Sequence, residues 1–200
     1  CCMVNGKEKM KWSADWIRYQ IADLGIEVKL RTSPTIEDLS SFDLVVNATG
    51  AHSYVPEVHG LKDVIIPFEK VMACPKVSCE FHPKDRKPLP LKGTKTIIWG
   101  DHYAAADTAA YLASIGKEVT IVTDHKDFGS KIEVIHKYVL FKRFQQTDAD
   151  ALTSKPYKFP VNIFNEFTID EITEHELILL DKNFKKITIP YDHVVTCWPR

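Results

Sequence analysis

The stretch TKTIIWGDHYAAADTAAYLASIGKEVTIVTD, residues 94–124, decides the fold. A β-branched strand over Thr96–Trp99 runs into Gly100. An alanine-rich helix spans His102–Ile115 and stops at Gly116. A second β-branched strand covers Glu118–Val122 before an acid at Asp124. This order predicts a βαβ unit, because parallel strands need a crossover and the crossover is right-handed. Ala105, Ala106, Ala109, Ala110 and Ala113 give the helix a thin face that can lie close to a sheet.

A dinucleotide-binding turn of this kind has three glycines in the pattern G-x-G-x-x-G. The first makes the tight turn, the second lets a pyrophosphate approach the backbone, and the third lets helix and strand pack closely. This chain has Gly100, His102 and Ala105 at those places. Gly100 keeps the first role and Ala105 is small enough for the third. His102 puts a side chain in the phosphate's path. The helix N-terminus still offers N–H groups and a partial positive charge, while Asp101 beside it is expected to repel phosphate. At the ribose end, Thr123 follows the strand and Asp124 comes one residue later. Asp124 suits either a bond to a ribose hydroxyl or a solvated loop position. The readings that stand are a site for NAD(P)H or an ADP moiety, weakened by His102, and a fold kept as scaffold or remade for another ligand.

Upstream, Lys7–Leu24 carries apolar residues at Met10, Ala14, Ile17, Ile21 and Leu24, a helical spacing that Gly25 ends. IEVKL, residues 26–30, predicts a short strand. DLVVNATG, residues 43–50, predicts a buried strand ending in a glycine turn. Residues 51–93 hold Pro56, Pro67, Pro75, Pro83, Pro88 and Pro90, so only short elements are expected, with one helical turn at Phe68–Ala73. Downstream, Ile132–Phe144 predicts a helix and 147–160 a loop. VNIFNE, FTIDEIT, ELILLD, KKITIP and DHVVTC predict strands, with a hairpin turn at Lys182-Asn183.

Charge and composition narrow the function classes. Lys plus Arg number 26 and Asp plus Glu 27, a formal net charge of −1. That balance argues against nucleic acid or a polybasic membrane surface as partner. No apolar run is long enough to span a bilayer and no signal peptide is visible, so a soluble cytoplasmic protein is expected. Cys1, Cys2, Cys74, Cys79 and Cys197 fit reduced thiols, and no spacing gathers four metal ligands. No nucleophile–base pair stands out, so no catalytic residue is assigned. Asp148, Asp150, Asp170, Glu171, Glu174 and Glu176 read as solvated faces. His125, His136, His175 and His193 read as surface or packing residues. The opening CCMVNGKEKMKW and the closing DHVVTCWPR predict a piece of a longer polypeptide.

The segment over residues 43–61 resembles the strand-plus-ATG crossing of glutathione-reductase-like flavoproteins. Asp43, Val45, Val46, Ala48, Thr49, Gly50, Ala51, Pro56, Gly60 and Leu61 match that pattern. The resemblance implies that Ala48, Thr49 and Gly50 lie against the flavin-side dinucleotide. A second crossing matches at Val194, Val195 and Thr196, where Cys197 replaces a glycine. Nearly the whole chain resembles a C-terminal region of old-yellow-enzyme-type NADH:flavin oxidoreductases, the group of 2,4-dienoyl-CoA reductase, 2-enoate reductase, and trimethylamine or histamine dehydrogenase. The resemblance implies an α/β fold: a Rossmann-like βαβ with parallel sheet plus antiparallel crossover strands, in a two-dinucleotide-domain architecture incomplete at both ends. It implies a partial flavin-side domain with connector over 1–82 and an NAD(P)-binding-like domain over 83–200. It also implies an upstream barrel carrying FMN and a 4Fe-4S cluster, a small-molecule nucleotide as ligand, and room for a homo-oligomer.

Overall fold

In the computed structural model, the described residues are 7, 9–50, 54–72, 89–145 and 156–198. The helices are α1 (Met10–Asp23), α2 (Ile36–Leu39), α3 (Phe68–Val71), α4 (Tyr103–Ser114) and α5 (Val134–Gln145). The strands are β1 (His59–Gly60), β2 (Ile65–Pro67), β3 (Lys95–Trp99), β4 (Glu118–Val122), β5 (Asn162–Phe164), β6 (Phe167–Ile172), β7 (Glu176–Asp181), β8 (Lys186–Pro190) and β9 (His193–Thr196).

Five strands form a parallel sheet in the order β2-β9-β3-β4-β5. The expected β3–α4–β4 unit is its centre, with His102 just outside the helix as its N-cap. β6, β7 and β8 form an antiparallel meander, and β1 adds to it in parallel along β6. Residues 59–71, expected in the first unit, thus contribute β1, β2 and α3 to the structure built mainly by residues 95–196.

The strand sequences explain the layers. Successive side chains of a strand point to opposite faces. Ile98, Val119, Ile121 and Val195 face one core with Ala105, Ala109, Leu112 and Phe144. Ile97, Trp99, Val122 and Val194 face a second core with Ile169, Ile172, Leu177 and Leu179 of the meander. Both faces of the sheet are covered, which is why these strands read as continuous apolar runs rather than alternating ones. Ala105 and Ala109 are fully buried, so the small side chains set a close approach of α4 to the sheet.

One carboxylate joins the starts of the two central strands. Asp192 Oδ2 accepts the backbone N–H groups of Thr94 at 2.7 Å and Lys95 at 2.8 Å. The Asp192 N–H donates to the Lys95 carbonyl at 2.8 Å. These bonds hold Asp192 below the usual carboxylate range.

The first fifty residues depart from expectation. α1 forms and ends where Gly25 stops it, but none of its residues is buried. The predicted strands over 26–30 and 43–50 do not form, and the described part of 9–50 contains no buried residue. A parallel strand needs pairing partners along its edges and cover on its faces. The described residues supply neither to 43–50. Ala51, Cys1, Cys2, Cys74, Cys79, Asp148 and Asp150 lie outside the described residues, as does most of the 147–160 loop. Among the described residues no helix is long and apolar enough to cross a membrane.

Candidate functional site

The crevice at the C-terminal ends of β3 and β4 is where a doubly wound sheet takes a nucleotide. Four features line it: the Gly100 turn, the N-terminus of α4, the end of β4, and the crossing that follows β9.

Gly100 has φ +154°, and a Cβ built on it would lie 2.7 Å from the Cys197 carbonyl oxygen. The Cys197 N–H donates to the Trp99 carbonyl at 2.8 Å, so the crossing is bonded to the end of β3. Gly100 is therefore required by the passing backbone of residue 197 as well as by the turn. Cys197 is buried, and desolvation pushes its thiol up to about 12. A group so protonated is a poor nucleophile. Thr196 is buried too, and its hydroxyl donates to the Tyr54 carbonyl at 3.4 Å.

Asp101 corrects the expectation of a charge facing phosphate. Its side chain is 1% exposed and turns toward the loop after β4. Oδ1 accepts the Gly129 N–H at 2.7 Å, and Oδ2 lies 3.4 Å from the Ser130 hydroxyl. The carboxylate anchors that loop instead of projecting into the phosphate path. His102 is half-buried at the N-cap, and its side chain makes no capping bond to the helix. Ala105 is fully buried and does fill the third, packing role. Lys7 reaches α4 from far along the chain, its ammonium 2.6 Å from Asp107.

At the ribose corner, Thr123 is buried and its backbone is bonded on both sides. It donates to the Phe164 carbonyl and accepts from the Phe167 N–H, each at 3.0 Å. Its hydroxyl accepts the His125 N–H at 3.2 Å. Asp124 is more than half exposed, and its Oδ1 lies 3.3 Å from His125 Nδ1. The same Nδ1 is 3.4 Å from Asp101 Oδ2 and 3.4 Å from the Thr123 hydroxyl. His125, expected as a surface or packing residue, joins three of the residues singled out from sequence. In sequence its place after Asp124, beside Lys126, gives at most a weak signal of a 2′-phosphate pocket.

The structure does not bring the flavin-side motif into a comparable site. Ala48, Thr49 and Gly50 are exposed. The Thr49 N–H and hydroxyl both bond the Asn47 side-chain oxygen, a local turn. A cavity of about 210 Å³ lies elsewhere, between α3, residues 89–91 and the far end of α4, lined by Val71, Leu91, Leu112 and Ile115. That is the end of α4 leading into β4, away from the strand ends that take nucleotides.

No family model matches the chain. In sequence it is similar to the NADH oxidase of Thermoanaerobacter brockii, 28% identical over 155 residues, which are 75% of this chain and 22% of the relative. It is also similar to the cinnamate reductase of Clostridium sporogenes, 32% identical over 114 residues, 56% of this chain and 15% of the relative. In structure, a 2-naphthoyl-CoA reductase in complex with 2-naphthoyl-CoA matches 99% of this chain and 26% of its own, with a TM-score of 0.75 and 21% identity. Histamine dehydrogenase from Rhizobium sp. 4-9 matches 100% of this chain and 29% of its own, with a TM-score of 0.65 and 18% identity. The chain thus spans less than a third of the length of each of these proteins. The fold is that of the two-dinucleotide-domain flavoproteins. The chain is similar to a region of each of these proteins, and the resemblance its motifs carry is to the old-yellow-enzyme-type flavoenzyme group.

Proposed function

We propose that this chain is the nucleotide-domain region of a flavin-dependent oxidoreductase, and that its own βαβ unit works as scaffold. In this reading electrons pass to a flavin held elsewhere in a longer protein. FMN and a 4Fe-4S cluster would sit in a barrel outside this chain, and residues 1–82 and 83–200 would be the flavin-side and nucleotide-side units. The observation that carries the scaffold reading is the crevice itself. The middle glycine position holds the His102 side chain, and the residues at the ribose corner are bonded to one another. In this reading the His102 side chain keeps an NAD(P)H pyrophosphate from the backbone of the turn.

A second reading keeps the nucleotide. Gly100 and Ala105 retain two of the three glycine functions, and Asp124 remains exposed at the ribose end. In that case the domain positions a pyridine nucleotide, or its ADP moiety, for electron transfer. Calorimetric titration with NADH, NADPH and ADP separates the two. The scaffold reading expects no saturable NADH binding at micromolar concentrations by the wild type, and a gain in His102→Gly. Tight NADH binding by the wild type would refute it.

A further inference from the structure

We infer that His125 is an internal latch on the ribose corner, standing in for the hydroxyls of an adenine nucleotide with a free 2′,3′-diol. This deepens the scaffold reading and rests on it, since it takes the crevice to be a closed dinucleotide site. One imidazole nitrogen, Nδ1, lies 3.3 Å from Asp124 Oδ1, 3.4 Å from Asp101 Oδ2 and 3.4 Å from the Thr123 hydroxyl. These oxygens come from the ends of β3 and β4, the two strands that frame a nucleotide's ribose in this topology. A ribose diol is a donor to a carboxylate, and in the tautomer with its proton on Nδ1 the His125 ring donates one N–H at that same place.

The main chain that carries the ring is held on both sides. The His125 N–H donates to the Thr123 hydroxyl at 3.2 Å, and its carbonyl accepts the Glu166 N–H at 3.0 Å. Asp101 does not need His125 to stay in place, because the Gly129 N–H holds its other oxygen at 2.7 Å. Removing the imidazole therefore leaves the loop anchored and the Asp124 carboxylate open. A nucleotide carrying a 2′-phosphate gains nothing from that opening, because Asp101 and Asp124 present like charges to it.

Calorimetry in the His102→Gly background tests the latch, with NADH and NADPH as probes. Adding His125→Ala is expected to tighten NADH binding roughly tenfold, the scale of one competing hydrogen bond to a charged group, and to leave NADPH unchanged. His125→Gln, which lacks a donor at the Nδ1 position, should give the same gain if the alanine variant folds poorly. His125→Asn keeps a donor there and should give none. An unchanged NADH affinity in both His125→Ala and His125→Gln overturns the latch. So does an equal gain for NADPH, or a gain in His125→Asn. Absence of NADH binding by every variant overturns it, together with the His102→Gly gain that the scaffold reading expects, whereas a gain in His102→Gly that no His125 substitution improves overturns the latch alone. Tight NADH binding by the wild type defeats both.

Discussion

Gly100→Ala is expected to destabilise the protein by about 3 kcal/mol, from strain and overlap together. The added methyl meets backbone, not a movable side chain: it would lie 2.7 Å from the Cys197 carbonyl oxygen and 2.9 Å from its carbon. Neither partner can easily retreat. The Cys197 N–H is bonded to the Trp99 carbonyl at 2.8 Å, and the Gly100 N–H to the Val122 carbonyl at 3.2 Å. Moving residue 197 away breaks the first bond, and moving the turn breaks the second. Forced overpacking costs about 1–3 kcal/mol, and a non-glycine residue in a sparsely populated backbone region about 1–3 kcal/mol more. Gly116→Ala supplies the control. It too has positive φ, +86°, but nothing lies within 4 Å of its added Cβ. It carries the backbone penalty alone, about 1–2 kcal/mol. Urea unfolding followed by far-UV circular dichroism, with linear extrapolation, measures both. If Gly100→Ala costs no more than Gly116→Ala, the close approach of residue 197 does not constrain the turn.

Two further outcomes follow from charged and buried groups. Asp192→Asn should cost about 1–2 kcal/mol at neutral pH, since the two N–H bonds to Oδ2 lose a charged acceptor. Its pH dependence has a definite sign: the folded value lies below the ordinary 3.8, so the wild-type advantage is present above that value and is lost as pH falls through the folded value. Unfolding midpoints at pH 7 and pH 3 check this, and an advantage that grows on acidification would contradict it. Cys197, buried with its thiol pushed up to about 12, should resist iodoacetamide at pH 8 in the folded protein and react once urea unfolds it. Peptide mapping by mass spectrometry reads the site, and rapid native alkylation would show that the crossing opens.

The features visible in sequence were those with local causes. β3, α4 and β4 follow from β-branched runs, an alanine stripe and Gly116, and the helix forms within one residue of Ile115 and His102 at its two ends. The meander follows from short apolar runs and the turn at Lys182-Asn183, where Asp181 Oδ1 accepts the N–H groups of Asn183 and Lys185. Residues 43–50 show the limit of that method. Leu44, Val45 and Val46 read as a buried strand, yet all three are well exposed. Their apolar pattern states what the segment would bury against, and a strand forms only where pairing partners and cover exist.

The candidate site shows a second limit, which concerns direction. From sequence, Asp101 stands beside His102, and adjacency suggested a negative charge in the phosphate path. In the fold its carboxylate is 1% exposed and bonded to Gly129, 28 residues further on. No local pattern reports such a partner. Asp101 therefore serves to hold the loop after β4, a role that its adjacency to His102 does not report. The middle-glycine position, in contrast, carries a side chain in sequence and fold alike, half-buried at the N-cap of α4. In the proposed reading two imidazoles block this crevice, His102 at the pyrophosphate and His125 at the ribose. Neither belongs to the buried cores that hold the sheet together. Substitutions at these two positions should therefore change nucleotide affinity more than stability, whereas Gly100→Ala should do the reverse.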